Sequence, residues 1–107
     1  MGKVTKEEKE IAIEYLRQYI KEGDTLYPLV KTVASSGMSR QMVILIRTDT
    51  GIRNISRLIA RAQGYRYNRD KDCFSISGCG MDMGMAVVCD LSYLLFGNEN
   101  SLKYSWL

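Results

Sequence analysis

The stretch CFSISGCGMDMGMAVVCDLSYLLF, residues 73–96, decides the fold reading. Its first five residues alternate apolar with polar, the pattern of a strand buried on one face. Residues 83–96 are apolar except chiefly for Asp90 and Ser92, which predicts a helix buried nearly all round, with Gly97 ending it. Between the two lies Ser77-Gly78-Cys79-Gly80-Met81-Asp82-Met83-Gly84, where Gly78, Gly80 and Gly84 have the spacing GxGxxxG, a variant of the dinucleotide fingerprint. A dinucleotide fold needs a further parallel strand after this helix, and the residues beyond Phe96 are too few for one. Asp82 also carries the wrong sign for a simple phosphate cradle unless it caps the helix. What is left is a tight strand-to-helix turn, which either holds an anion on its free N–H groups or lets backbone pass close to backbone.

Upstream, Thr5-Lys6-Glu7-Glu8 has the spacing of a capping box and starts a helix near Lys6. Ile11, Ala12, Tyr15, Leu16, Tyr19 and Ile20 follow at helical spacing, so the tyrosines are expected to pack on the core, and Gly23 supplies a stop. Residues 24–28 read as a connector because Pro28 disfavours helix before it. Residues 29–35 are rich in β-branched side chains and read as a strand. After the small polar turn Ser36-Gly37-Met38-Ser39-Arg40, residues 42–46 are apolar on both faces, as in a central strand, and the two runs form a hairpin. Residues 52–55 are a short third strand or a helix entry, and residues 56–63 an amphipathic helix ended by Gly64. The resulting class is α+β: a small sheet of three or four antiparallel strands, or a mixed one, with helices packed on it in the order αββ(β)αβα. All of residues 1–107 belong to one expected domain.

Composition narrows the function. The chain has net charge +3, no histidine and three cysteines without a CxxC pair, which argues against a disulfide framework and an ordinary zinc site. No cofactor or metal is expected. The N-terminal residues are charged and no apolar run reaches bilayer length, so a cytoplasmic protein without membrane contact is expected. Between positions 31 and 69 the charges are Lys31, Arg40, Arg47, Arg53, Arg57, Arg61, Arg66 and Arg69 against Asp49 alone. Guanidinium forks suit phosphate. Arg57 and Arg61, one turn apart on the outer helix side with Arg53 continuing their line, form a basic ridge. Tyr65-Arg66-Tyr67-Asn68-Arg69 interleaves arginine with aromatics, as in sites that stack bases. Ser36, Gly37, Ser39 and Arg40 supply hydroxyls, flexible backbone and a cation at a hairpin tip, while Gly78, Cys79 and Gly80 supply free N–H groups and a thiol near a helix start.

The motifs SGMSR (36–40), Gly64-Tyr65 and SGCGMDMG (77–84), the last before an apolar helix, resemble a family of small proteins of unassigned function found in tailed bacteriophages and prophages, over roughly residues 31–96. The resemblance implies an accessory protein acting in an infected or lysogenic bacterium, where such proteins counter host defences. Three functions follow. The first is non-catalytic binding of an anionic nucleotide-type ligand or nucleic acid through Ser36, Gly37, Ser39, Arg40, Arg57, Arg61, Gly78, Cys79 and Gly80. The second is direct inhibition of a host defence enzyme such as a CRISPR effector nuclease. The third is a small enzyme using Cys79 or a carboxylate-bound metal. A homo-oligomer sharing a site at its interface suits the first of these.

Overall fold

A ten-residue strand runs through the middle of the molecule, and everything else is arranged along its two edges. The computed structural model describes residues 4–32, 39–77 and 83–107. Within these the elements are α1 (Lys6–Tyr19), β1 (Thr25–Thr32), β2 (Ser39–Thr48), β3 (Gly51–Asn54), α2 (Ser56–Gln63), β4 (Arg66–Asn68), β5 (Cys73–Ser77), α3 (Met83–Phe96) and β6 (Lys103–Tyr104). The class is α+β, with a six-stranded mixed sheet in the order β4-β5-β2-β1-β6 and β3 also paired to β2.

β2 is hydrogen-bonded to β1 along one edge, antiparallel, from Leu26↔Ile46 to Thr32↔Arg40. Its other edge is shared: β5 pairs with its first half, Ser39↔Ser77 to Met42↔Phe74, and β3 with its second, Leu45↔Asn54 to Thr48↔Gly51. Ile44 falls in the gap between those two partners. Its N–H donates to Ser56 Oγ at 2.8 Å and its carbonyl accepts from Ile55 N–H at 3.0 Å, so the start of α2 fills the missing place in the ladder. Asn54 Oδ1 accepts from both the N–H (2.9 Å) and the hydroxyl (2.5 Å) of Ser56, the first residue of α2.

Alternation along β2 sorts the faces. Met42, Ile44 and Ile46 are fully buried with Leu26, Phe74 and Ile76 beneath Leu16, Ile59 and Leu91 of the three helices, whereas Val43 and Leu45 point to the opposite, helix-free face. That open face also carries Tyr27 and Arg47, whose guanidinium stands 5.8 Å from the Tyr27 ring centroid.

Several sequence expectations change. The sheet has six strands rather than three or four. β1 begins at Thr25, upstream of the expected strand, and contains Pro28 opposite Ile44. A proline is tolerated here because Ile44 directs its hydrogen bonds to α2, so the Pro28↔Ile44 pair exchanges none. The residues beyond Phe96, expected to be too few for a further parallel strand, do supply a two-residue one: the tail docks as β6, parallel to β1. It is held by Ser92, buried on α3, whose hydroxyl donates to the Asn98 carbonyl (2.6 Å) and accepts from Leu102 N–H (3.0 Å). The Thr5 cap forms as expected, with Glu8 N–H donating to its hydroxyl at 3.1 Å, but α1 ends at Tyr19, ahead of Gly23. α3 is not buried all round; Met85, Ala86, Asp90 and Tyr93 are exposed. No helix among the described residues is long and apolar enough to cross a membrane.

Two substitutions test these contacts. Ser56→Ala removes the partner of a buried peptide N–H and is expected to cost about 1–3 kcal/mol in urea unfolding. Gly84→Val should cost a similar amount, about 1–3 kcal/mol, by overpacking, since even a Cβ there would lie 2.8 Å from the Pro28 ring. Unchanged unfolding midpoints would contradict both assignments.

Candidate functional site

The residues singled out by sequence fall into two places. Ser36, Gly37, Gly78, Cys79 and Gly80 lie outside the described residues. The strand ends that border them are neighbours: Ser39 pairs with Ser77, and Arg40 with both Thr32 and Ile76. The ends of β1, β2 and β5 that border these residues therefore lie together at one end of the sheet. Arg40 shares the parity of Met42 and Ile44, so it lies half-buried on the helix-covered side of β2. Arg57 and Arg61 stand elsewhere, on the outward side of α2, whose first residue is fixed at Ile44. Arg53, which continues their line, pairs with Ile46, six positions along β2 from Arg40, or about 20 Å of strand.

α1 lies antiparallel beside α2: the Lys9 side chain reaches Gly64 at the end of α2, and Tyr19 at the end of α1 meets Arg53 ahead of α2. This packing splits the expected apolar face of α1. Ala12, Leu16 and Ile20 are buried at 0–2% exposure, whereas Ile11 (57%), Tyr15 (49%) and Tyr19 (39%) remain partly in solvent. The expectation that both tyrosines pack in the core is thus corrected. The six apolar positions span about half the helix circumference, wider than the short α2 can cover. That width was the available signal.

Beside the exposed stripe, the Arg53 guanidinium lies 4.9 Å from the Tyr19 ring centroid. Between the helices a recess is lined by Glu8, Ile11, Ala12, Tyr15, Leu58 and Arg61. The molecule therefore presents Arg53 over the Tyr19 ring, Arg61 beside Tyr15 in the recess, and Arg57 exposed one turn before Arg61 on α2. Such a surface offers cations for phosphates and flat faces for bases.

The second aromatic and basic run is engaged differently. In β4, Tyr67 pairs with Phe74 and turns toward the helices while Arg66 turns away. Tyr65 stacks on Phe74 with centroids 5.4 Å apart and planes inclined by 11°. The Tyr67 hydroxyl donates to Asp72, which also accepts from Asn54 Nδ2 at 2.7 Å. These rings are committed to the fold rather than interleaved for bases. A groove on the β4 side is lined by Arg66, Tyr67, Asn68, Arg69, Asp70 and Ser75, so Tyr67 borders it although its hydroxyl is bonded to Asp72.

Burial, then the hydrogen bond to Asp72, pushes the Tyr67 phenol up to about 12, against a smaller opposing pull from Arg57. Burial and the charge of Asp90 raise Tyr65 as well. Cys73 is buried and Cys89 half-buried, both as free thiols.

Comparison with protein-family models, with curated proteins and with solved structures gives no match.

The raised Tyr67 fixes the sign of an alkaline transition. Because the folded value lies above the ordinary 10, the stability that Tyr67 contributes is complete below about pH 10 and is lost as pH rises through about 12. Spectrophotometric titration should show a late tyrosinate step that moves toward the ordinary range in Asp72→Asn; an identical titration in that variant would contradict the assignment.

Proposed function

We propose that the protein binds a single-stranded nucleic acid or nucleotide-type anion on the α1–α2 surface, and that this binding, rather than catalysis, is its activity. One observation carries the reading: the Arg53 guanidinium stands over the Tyr19 ring and Arg61 lines one recess with Tyr15, with Arg57 exposed one turn before Arg61 on α2. Arginines neutralise phosphates one at a time, and rings stack bases of any sequence, so the surface suits a strand whose bases are unpaired. The open recess at Tyr15 and Leu58 gives an apolar wall next to Arg61, where one base edge can settle. The resemblance to phage proteins supplies the setting, an infected bacterium, and makes sequestration of a host nucleic acid or nucleotide signal the biological use.

Fluorescence anisotropy with a labelled single-stranded oligonucleotide, competed by mononucleotides and cyclic nucleotides, tests the reading. Each of Arg57→Ala and Arg61→Ala is expected to lower the slope of log affinity against log salt by about 0.7. Tyr15→Ala should cost about 1–3 kcal/mol of binding if one base stacks there. All three positions are off the core, so folding should be kept. No saturable binding at moderate salt, or variants that bind as the native chain does, would reject it.

A further inference from the structure

The six strands of the sheet hold no aspartate or glutamate, although the chain has 12 of them. The acids among the described residues lie on α1, on α3 and in the segments between elements. Strand side chains that face away from the helices are therefore cationic wherever they are charged. The registers place Tyr27 and Leu29 on that side with Val43 and Leu45, and with them the exposed Arg47, Arg66 and Lys103. Lys71 joins them at a recess of about 280 Å³ shared with Gln41, Val43 and Cys73.

An antiparallel pair with one solvated face normally alternates apolar inward with polar outward. β1 and β2 break that rule, because Tyr27, Leu29, Val43 and Leu45 point outward, only partly buried and outside the cluster packed under the helices. Charge narrows what covers them. A second copy of the same face would set cations against cations with no strand carboxylate to meet them. An unpaired nucleic acid strand needs ring faces, and Tyr27, the one aromatic of the strands on this side, already has the Arg47 guanidinium 5.8 Å from its centroid. The complementary surface is a protein stripe of apolar residues flanked by carboxylates. Across β1, β2 and β3, where Ile52 stands opposite Arg47, the apolar centre is about 10 Å wide, close to the diameter of one helix.

We propose that the open face of the sheet is a docking site for an acidic amphipathic helix of a partner protein, its apolar stripe on Leu29, Val43 and Leu45 and its flanking carboxylates on Arg47, Arg66 and Lys103. A helix seated there gives the sheet a layer on each side, the arrangement of a three-layer domain. This face is separate from the α1–α2 surface, which lies on the helix-covered side of the sheet.

The test is an amide-resolved NMR titration of the full chain with a blocked helical peptide of about 18 residues, long enough to cross the sheet, with leucine along one stripe and glutamate on both flanks. Saturable shifts centred on Tyr27, Leu29, Val43, Leu45 and Arg47 are expected. A counterpart with lysine in place of glutamate should bind at least about tenfold more weakly. Arg47→Glu, at an exposed position, should keep the melting temperature and weaken the glutamate peptide about tenfold; Leu45→Gln should weaken it as well. If Leu45→Gln lowers the melting temperature, Arg47→Glu alone decides. No saturable binding, shifts centred on α1 or α3, equal affinity for the lysine peptide, or unchanged affinity in Arg47→Glu would overturn the site. A single-stranded oligonucleotide that shifts the same five amides, or self-association of the free chain that Arg47→Glu disrupts, would overturn its assignment to a partner's acidic helix.

Discussion

The peptide group of Ile44 is the constraint on which the rest of the structure depends. β2 is served on one edge by a single long strand and on the other by two short ones, which leaves one buried N–H and one carbonyl between them without a strand partner. Paired β-strand backbone in a core has no water to turn to. The protein answers with Ser56 and Ile55, so the first turn of a helix completes the sheet. Asn54 then holds the Ser56 hydroxyl and N–H, Asp72 holds Asn54, and Tyr67 donates to Asp72, which ties β3, α2, β4 and the turn before β5 into one polar chain.

This junction also sets the surface proposed to bind nucleic acid. With Ser56 pinned inward, helical periodicity places Ile59, Ala60 and Ala62 in the core and leaves Arg57 and Arg61 outside, one turn apart. The exit of β3 places Arg53 ahead of them, within reach of the Tyr19 ring. α1 then packs with only part of its apolar width covered, and Tyr15 and Tyr19 fall on the uncovered flank beside the arginines. The basic ridge and its aromatic border are consequences of where one serine docks. The end of the same helix and the following Tyr65 also line a recess against α3.

Much of this was legible in the sequence for reasons that are local. The apolar run of β2, the pairing of β1 with β2, and the bounds of α2 and α3 follow from periodicity, and Gly64 and Gly97 end their helices in left-handed geometry at φ +79° and +71°. The parts that escaped depend on neighbours. β4 and β6 are three and two residues long with the ordinary polar sequences Arg-Tyr-Asn and Lys-Tyr, and they become strands because β5 and β1 present open edges to them. Pro28 reads as a break, yet its strand survives because its partner bonds elsewhere. The alternation Tyr-Arg-Tyr in 65–67 looks like a base-stacking run until the pairing of Tyr67 with Phe74 and the stacking of Tyr65 on that ring show that both turn inward. For the site, Arg57 and Arg61 stand outside α2 as periodicity indicates, while the neighbouring tyrosines were hidden by an apolar stripe too broad to assign without knowing what packs on it.

The central claim is that unpaired bases stack on the α1 tyrosines while the α2 ridge holds the phosphates. Photo-crosslinking of the full chain to a single-stranded oligonucleotide carrying bromouracil, followed by peptide mass spectrometry, addresses it directly. Adducts are expected at Tyr15 and Tyr19, lost on addition of unlabelled strand. Adducts concentrated at Tyr93, Tyr104 or Trp106, which are also exposed but lie away from the ridge, would contradict it.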